Sequence, residues 1–151
     1  MSKSPIPEPG EGKRGEDGYL GYLLRQAAAA HRQRMDRALA DLAVTPPQFA
    51  VLTMLRAYPG HSNADLARLA LLTPQTVSLI VANLERAGWI VRRADQVHGR
   101  IQHLELTASG AARLAEATAR ARALDEALAQ ELTPQEERAV RRWLALAAKR
   151  K

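Results

Sequence analysis

The stretch Leu72–Arg100 reads LTPQTVSLIVANLERAGWIVRRADQVHGR and contains the signals that decide the fold. Thr73 is suited to be a helix N-cap, and Pro74 to be the first helical residue. Apolar residues then recur at helical spacing and predict one buried face: Val77, Ile80, Val81 and Leu84. Gly88 predicts the end of this helix, and the residues that follow, Trp89–Arg93, have strand composition. The stretch therefore predicts a short helix followed by a basic β-hairpin.

The flanking chain predicts the other parts of a winged helix-turn-helix lobe over residues 45–106. Thr45 and the two prolines after it predict the start of one helix, and Ser62 is suited to cap a second, short helix. Only two leucines separate the short helix from the Thr73 cap, which is typical of a helix-turn-helix. Residues Ile101–Leu106 alternate between apolar and polar, and we expect them to pair with Trp89–Arg93.

Long Ala/Leu-rich helices are predicted on both sides of this lobe. Tyr19–Leu42 carries one apolar stripe with spacings of three and four residues. Thr107 is suited to cap a second long helix, and the capping box from Thr133 to Glu136 predicts a final one. We interpret residues 19–42 and 108–149 as dimerisation helices within a single domain, residues 19–151. The predicted fold class is mainly α with a small β-hairpin.

The composition narrows the classes of function and location. The 151 residues carry a net charge of +6 and a sequence pI of about 10.3, which favour a polyanionic partner such as nucleic acid. The chain has no cysteine, so disulfides, thiolate zinc sites and thiol redox chemistry are excluded. Residues 1–18 are rich in proline, glycine and charge, and predict a disordered tail without a signal peptide. We expect a cytoplasmic protein with no membrane partner, because no apolar run approaches the ~20 residues that span a bilayer.

The chain resembles the MarR family of winged-helix transcription regulators. The resemblance covers Tyr19 to Ala147 and is carried by TPPQFAVLTML, SNADLARLALLTPQTVSLIVANLERAGWIVRR and HLELTASG. It implies a homodimer, joined by the first and last helices, that binds pseudo-palindromic operator DNA. It also implies release of the DNA by a small aromatic or anionic molecule, bound between the dimer helices and the DNA-binding lobe.

Two positions differ from the family pattern. The wing tip of typical members has Asp-Arg-Arg where this chain has His98-Gly99-Arg100. Only Arg100 matches, and the resemblance implies that it contacts the minor groove. The predicted recognition helix also has Leu79 where an arginine or another polar residue is common.

We expect the recognition helix to lie in the major groove and the hairpin, as a wing, to lie beside it. Gln75 is suited to adenine, Ser78 to either base and Thr76 to a thymine methyl group or a phosphate. Leu79 is suited to thymine methyl groups. The full set of predicted DNA-binding residues is Thr73, Gln75, Thr76, Ser78, Leu79, Asn83, Arg92, Arg93, His98 and Arg100. Arg92 and Arg93 have two interpretations, since they either meet phosphates or pair with nearby carboxylates, Glu85 and Glu105.

Other kinds of site have weaker signals. His31 interrupts the apolar stripe of the first helix, and it is either a partly buried, hydrogen-bonded side chain or part of an effector cleft. Tyr22 and Met35 are further candidates for that cleft. The four histidines, with no cysteine nearby, predict no metal site, and no cofactor is expected. No catalytic constellation predicts an enzyme. The alternative function is a winged-helix module for protein interaction, or a non-specific DNA architectural protein.

Overall fold

The computed structural model describes residues 2–100 and 102–149. These residues form six α-helices and one hairpin: α1 Leu20–Leu39, α2 Pro46–Ala57, α3 Asn63–Ala70, α4 Pro74–Arg86, β1 Ile90–Ala94, β2 Gln102–Leu106, α5 Ala108–Ala129 and α6 Pro134–Lys149. Single turns of 3-10 helix lie at Gly12–Arg14 and Ala40–Leu42. The fold class predicted from the sequence is confirmed. Met1 of the predicted tail, Ile101 of the predicted second strand, and residues 150–151 of the predicted domain lie outside the described residues.

The segment before α1 folds back on that helix. Arg14 donates to the side-chain oxygen of Gln26 (3.1 Å) and to the carbonyl oxygen of Pro7 (2.8 Å), and Gln26 donates to the Arg14 carbonyl oxygen (3.0 Å). Composition does not reveal a contact of one arginine with one glutamine, so these bonds are not predicted from the sequence. Disorder of residues 1–18 as a whole stays a prediction.

The first buried cluster holds the short helices and the hairpin together. Its members come from α2, α3, α4, both strands and α5: Val51, Leu52, Leu55, Leu66, Ala67, Val77, Ile80, Val81, Leu84, Ile90, Leu104 and Leu114. The four residues predicted for the buried face of α4 all belong to it. Burial of this much aliphatic surface fixes the orientation of α4 relative to the hairpin.

A second buried cluster joins the first helix to the fifth. Met35 and Leu39 of α1 pack with Leu42, Val44 and Ala117. Beside this cluster, Arg120 donates to both carboxylate oxygens of Asp41 (2.6 and 2.9 Å) and to the carbonyl oxygen of Ala38 (2.8 Å). Hydrogen bonding to Arg120 lowers the pKa of Asp41. The long helices are thus tied to each other at the edge of the lobe formed by α2, α3, α4 and the hairpin.

The ends of α4 agree with the local signals in the sequence. Thr73 accepts a hydrogen bond from the Thr76 amide (3.2 Å), and Pro74 is the first helical residue. Gly88 follows the helix with φ of 74°, a left-handed conformation that glycine adopts without steric cost. The turn before α4 is different, because Leu71 has φ of 58° and a side chain that is 91% exposed. A leucine thus occupies a conformation in which glycine is favoured.

The hairpin is antiparallel, with a register from Ile90 opposite Leu106 to Ala94 opposite Gln102. The predicted first strand was Trp89–Arg93, and the observed one begins and ends one residue later. The Trp89 carbonyl oxygen accepts a hydrogen bond from the Thr107 amide (3.0 Å), and the Thr107 hydroxyl donates to the Gly88 carbonyl oxygen (2.6 Å). Thr107 also caps α5 by accepting from the Gly110 amide (3.0 Å). One threonine therefore joins the base of the wing to the start of α5.

The terminal helices leave large apolar side chains uncovered. In α1, Leu20 and Leu24 are exposed, although Met35 on the same predicted stripe is buried. In α6, which has no buried residue, the exposed apolar side chains are Val140, Trp143, Leu144 and Leu146. A hydrophobic groove runs between the first half of α1, the end of α5 and the middle of α6. Exposed apolar patches of this kind mark surfaces that contact another molecule.

Candidate nucleic-acid interface

The solvent face of α4 is composed of short polar side chains around one leucine. Gln75, Thr76 and Ser78 are exposed, and Leu79 is 64% exposed. This face lies opposite the buried side chains of the helix, so it points away from the core. A major groove admits an α-helix and displays hydrogen-bonding groups and thymine methyls, which polar side chains and a leucine of this kind can contact. The structure thus brings together the four predicted readers on one accessible surface.

The two other predicted contacts of this stretch, Thr73 and Asn83, already make hydrogen bonds to residues of α4. The hydroxyls of Thr73 and Thr76 lie 2.8 Å apart, and the Thr73 oxygen also caps the helix. Asn83 is half-buried, and its side-chain oxygen accepts from Arg86 Nη1 (3.1 Å). The methyl group of Thr76 is not involved in these bonds. Thr73 and Asn83 therefore have structural roles that stand beside any contact with a phosphate.

The two strand arginines are paired with carboxylates. Arg92 Nε donates to Glu85 Oε1 of α4 (2.8 Å), and Arg93 Nε donates to Glu105 Oε2 of β2 (2.7 Å). Of the two interpretations of these arginines, pairing is the one observed in the free protein. The four side chains are between 32% and 64% exposed. Water therefore screens the attraction, and each pair contributes little to stability. Such pairs can exchange a carboxylate for a phosphate at small cost.

The wing tip is organised by an aspartate. One carboxylate oxygen of Asp95 accepts from the backbone amides of Val97 (2.7 Å) and His98 (3.3 Å), and the other lies 3.0 Å from Nε2 of His103. The hydrogen bond from the Val97 amide, followed by that from His98, lowers the pKa of the Asp95 carboxyl. His98 and Arg100 are exposed beyond this turn. The Asp95 turn and its contact with His103 are not predicted from the sequence, although an aspartate directly after a strand is a known signal for an Asx-turn.

The three candidates for an effector cleft do not lie in one place. Tyr22 and Met35 are thirteen residues apart on the same helix, which is about 20 Å at 1.5 Å per residue. Met35 is buried in the second cluster, and the Tyr22 hydroxyl lies 3.4 Å from the side-chain oxygen of Gln26. His31 lies between them, and its Nδ1 is buried without a hydrogen-bond partner among the described residues. A buried ring nitrogen without a partner is costly, which makes His31 the strongest of the three.

Across residues 2–100 and 102–149, no three His, Asp or Glu side chains are grouped as metal ligands would be. Within the same ranges, no single helix is both long enough and apolar enough to cross a bilayer.

Comparisons with known proteins agree with this geometry. A model of the MarR family matches residues 44–101. The HTH-type transcriptional repressor Rv2887 of Mycobacterium tuberculosis is 40% identical over 129 residues, which are 85% of this chain and 93% of that protein. The structure of Rv2887 from the same organism in complex with p-aminosalicylic acid has a TM-score of 0.72 at 36% identity, covering 87% of this chain and 100% of that one. The structure of Rv2887 in complex with DNA has a TM-score of 0.70 at 36% identity, covering 87% and 98%.

Proposed function

The chain belongs to the MarR family, and on that premise we propose that it is a transcriptional repressor that binds a pseudo-palindromic operator as a homodimer. The observation that carries the proposal is the accessible face of α4, held beside a basic hairpin by one continuous core. The relative Rv2887 is named a transcriptional repressor and has been solved in complex with DNA, which supports the same role here. A protein in this role works on the chromosome, so we place it in the cytoplasm and assign it no catalytic step.

In this proposal α4 reads bases in the major groove. Gln75 pairs with an adenine edge, and Ser78 bonds a neighbouring base. Leu79 and the Thr76 methyl group contact thymine methyls, because both are apolar groups on the exposed face. Gln75 should contribute discrimination of about 1–3 kcal/mol at one base pair.

The wing contacts the backbone and the minor groove. Arg100 enters the minor groove, where a narrow A·T tract has an enhanced negative potential. Arg92 and Arg93 exchange their carboxylate partners for phosphates when DNA arrives. His98, which is exposed beside Arg100, lies within reach of the same backbone.

The uncovered apolar surface of α1 and α6 supplies the dimer interface. In a dimer with a twofold axis, each copy covers the exposed apolar side chains of the other. These side chains are Leu20 and Leu24 of α1 and Trp143 of α6. The twofold axis then presents two α4 helices to successive turns of the duplex, which is why a pseudo-palindromic site is expected.

A small aromatic or anionic effector is part of the proposal. The relative Rv2887 has been solved with p-aminosalicylic acid, which is both aromatic and anionic. In this chain the buried Nδ1 of His31 is the group that such a ligand would satisfy. A ligand releases DNA only to the extent that it binds the non-binding conformation more tightly. Salicylate titrated into the protein–operator complex should release DNA, and His31→Leu should weaken that response while leaving operator affinity unchanged.

The experiment for the main proposal is a gel shift and footprint on the DNA upstream of the protein's own gene, with random DNA of equal length as the control. We expect a protected, two-part site with preference over random DNA at physiological salt. Arg100→Ala should lower affinity for that site severalfold at matched salt while the dimer stays intact by light scattering. Equal affinity for both DNAs would contradict the repressor and favour an architectural protein.

A further inference from the structure

Two residues at the ends of the wing loop contact each other, and neither of them has a role in the proposed contacts with bases or phosphates. Asp95 follows β1 directly, and His103 is the second residue of β2. Their side chains are joined at 3.0 Å and are only 22% and 31% exposed, whereas residues 96–100 of the tip are exposed. These two side chains are less exposed than those of the strand-arginine pairs, so water screens their interaction less.

We propose that Asp95 and His103 act as a lock that sets the conformation of the wing tip and so positions Arg100 for the minor groove. The inference rests on the proposed function, because it concerns how the wing meets DNA. Both are positioning residues, and neither has to touch DNA itself.

The geometry explains how the lock works. The strand pairing places His103 opposite Arg93, which fixes the backbone position from which the imidazole ring extends. It restrains one oxygen of the Asp95 carboxylate, while the other oxygen receives the Val97 and His98 amides. The carboxylate thereby connects β2 to the backbone of the tip two residues before Arg100.

The lock restrains the backbone next to Arg100, which the residues of the tip itself do not do. His98-Gly99 provides no carboxylate next to Arg100, and Gly99 adds conformational freedom at that point. A tip that is free in solution loses conformational entropy when DNA orders it, and a tip that is already ordered loses less. The lock therefore acts on operator affinity through preorganisation.

The test uses the full-length protein and the operator defined by the footprint. Asp95→Ala and His103→Leu should each weaken operator binding roughly fivefold. This is the loss expected when binding must additionally offset the conformational entropy of ordering about one side chain. His103→Gln keeps a side-chain N–H donor at similar reach and should restore binding to near the wild-type level. Gln102→Leu makes the same kind of change one residue earlier, on the exposed face of β2, and should have no effect.

A double-mutant cycle shows whether the lock acts through Arg100. In an Arg100→Ala background, His103→Leu should cause little further loss, since the residue that it positions is already gone. Independent, multiplying losses would overturn the proposal. So would a His103→Leu variant that binds like the wild type, or a His103→Gln variant that is no better than His103→Leu.

Amide hydrogen exchange separates failure of the lock from failure of the repressor proposal, because it needs no DNA. The Val97 and His98 amides should exchange slowly in the wild type and His103→Gln, and faster in Asp95→Ala and His103→Leu. If the wild type does not prefer its operator yet shows this exchange pattern, the lock stands and the repressor proposal fails. Equally fast exchange in all variants would overturn the lock.

Discussion

Gly110→Ala should destabilise the protein, although the change replaces glycine by alanine inside a helix. A methyl group on Gly110 would collide with the Trp89 carbonyl oxygen and would lie 2.7 Å from its carbonyl carbon and 2.9 Å from its Cα. These are backbone atoms, so no side-chain rotation relieves the contact. The Trp89 segment must move away from α5, and that movement strains the two bonds which Thr107 makes to Gly88 and Trp89.

The magnitude follows from opposing contributions. Helix propensity favours alanine by about 1 kcal/mol. Overpacking costs about 1–3 kcal/mol, and two weakened hydrogen bonds add about 0.5–1.5 kcal/mol each. The sum is a net loss of about 3 kcal/mol in the free energy of unfolding, or roughly 6–12 °C in Tm for a chain of this size.

Urea denaturation at one fixed protein concentration is the appropriate assay, because the stability of a dimer depends on concentration. The matched control is Gly21→Ala in α1, where an added methyl meets no described residue within 4 Å. This control should be as stable as the wild type or up to about 1 kcal/mol more stable. If Gly110→Ala matches the control, the close approach of α5 to Trp89 does not exist in solution.

Three further changes test other parts of the structure. Leu71→Gly should raise stability by about 0.5–1 kcal/mol in thermal denaturation, because it relieves a left-handed leucine whose exposed side chain contributes little packing; a lower Tm would contradict this. Asp65 has a pKa lowered from 3.8 to about 2, chiefly by its hydrogen bond to Arg68. Asp65→Asn should therefore be less stable than the wild type at neutral pH, and the difference should vanish as the pH falls from about 4 to about 2; a constant difference would refute the assignment. Leu144→Glu should convert the dimer to a monomer in light scattering and lower operator affinity, whereas an intact dimer would place the interface elsewhere.

The parts of the fold that the sequence predicts well depend on local interactions. Thr73 and Thr107 cap helices through amides three residues away, so a short stretch of sequence contains the whole signal. The buried face of α4 was predictable for a similar reason, because helical periodicity identifies which side chains share a face. In each case the residue and its partner lie within a few turns of each other.

The parts that were missed depend on register or on a partner molecule. Asp95 and His103 are eight residues apart, and their contact requires the hairpin register that brings them together. The stripe on α1 was predicted as one surface, yet its second half enters a core within the chain and its first half stays exposed. Periodicity identifies the stripe but does not say which molecule covers it.

The distribution of charge on the DNA-binding lobe bears on where its specificity arises. Arg92 and Arg93 are each neutralised by a carboxylate in the free protein, so part of what they gain from phosphates is offset by breaking those pairs. Phosphate contacts in any case strengthen binding to all sequences alike. In the proposed mode of binding, discrimination then depends on the few groups on α4 and on Arg100, for which a preference for a narrow minor groove would be a preference for DNA shape. A wing tip with one matching arginine is effective only if that arginine is held in place, and this is why the order imposed by Asp95 matters more here than in a tip with several cations.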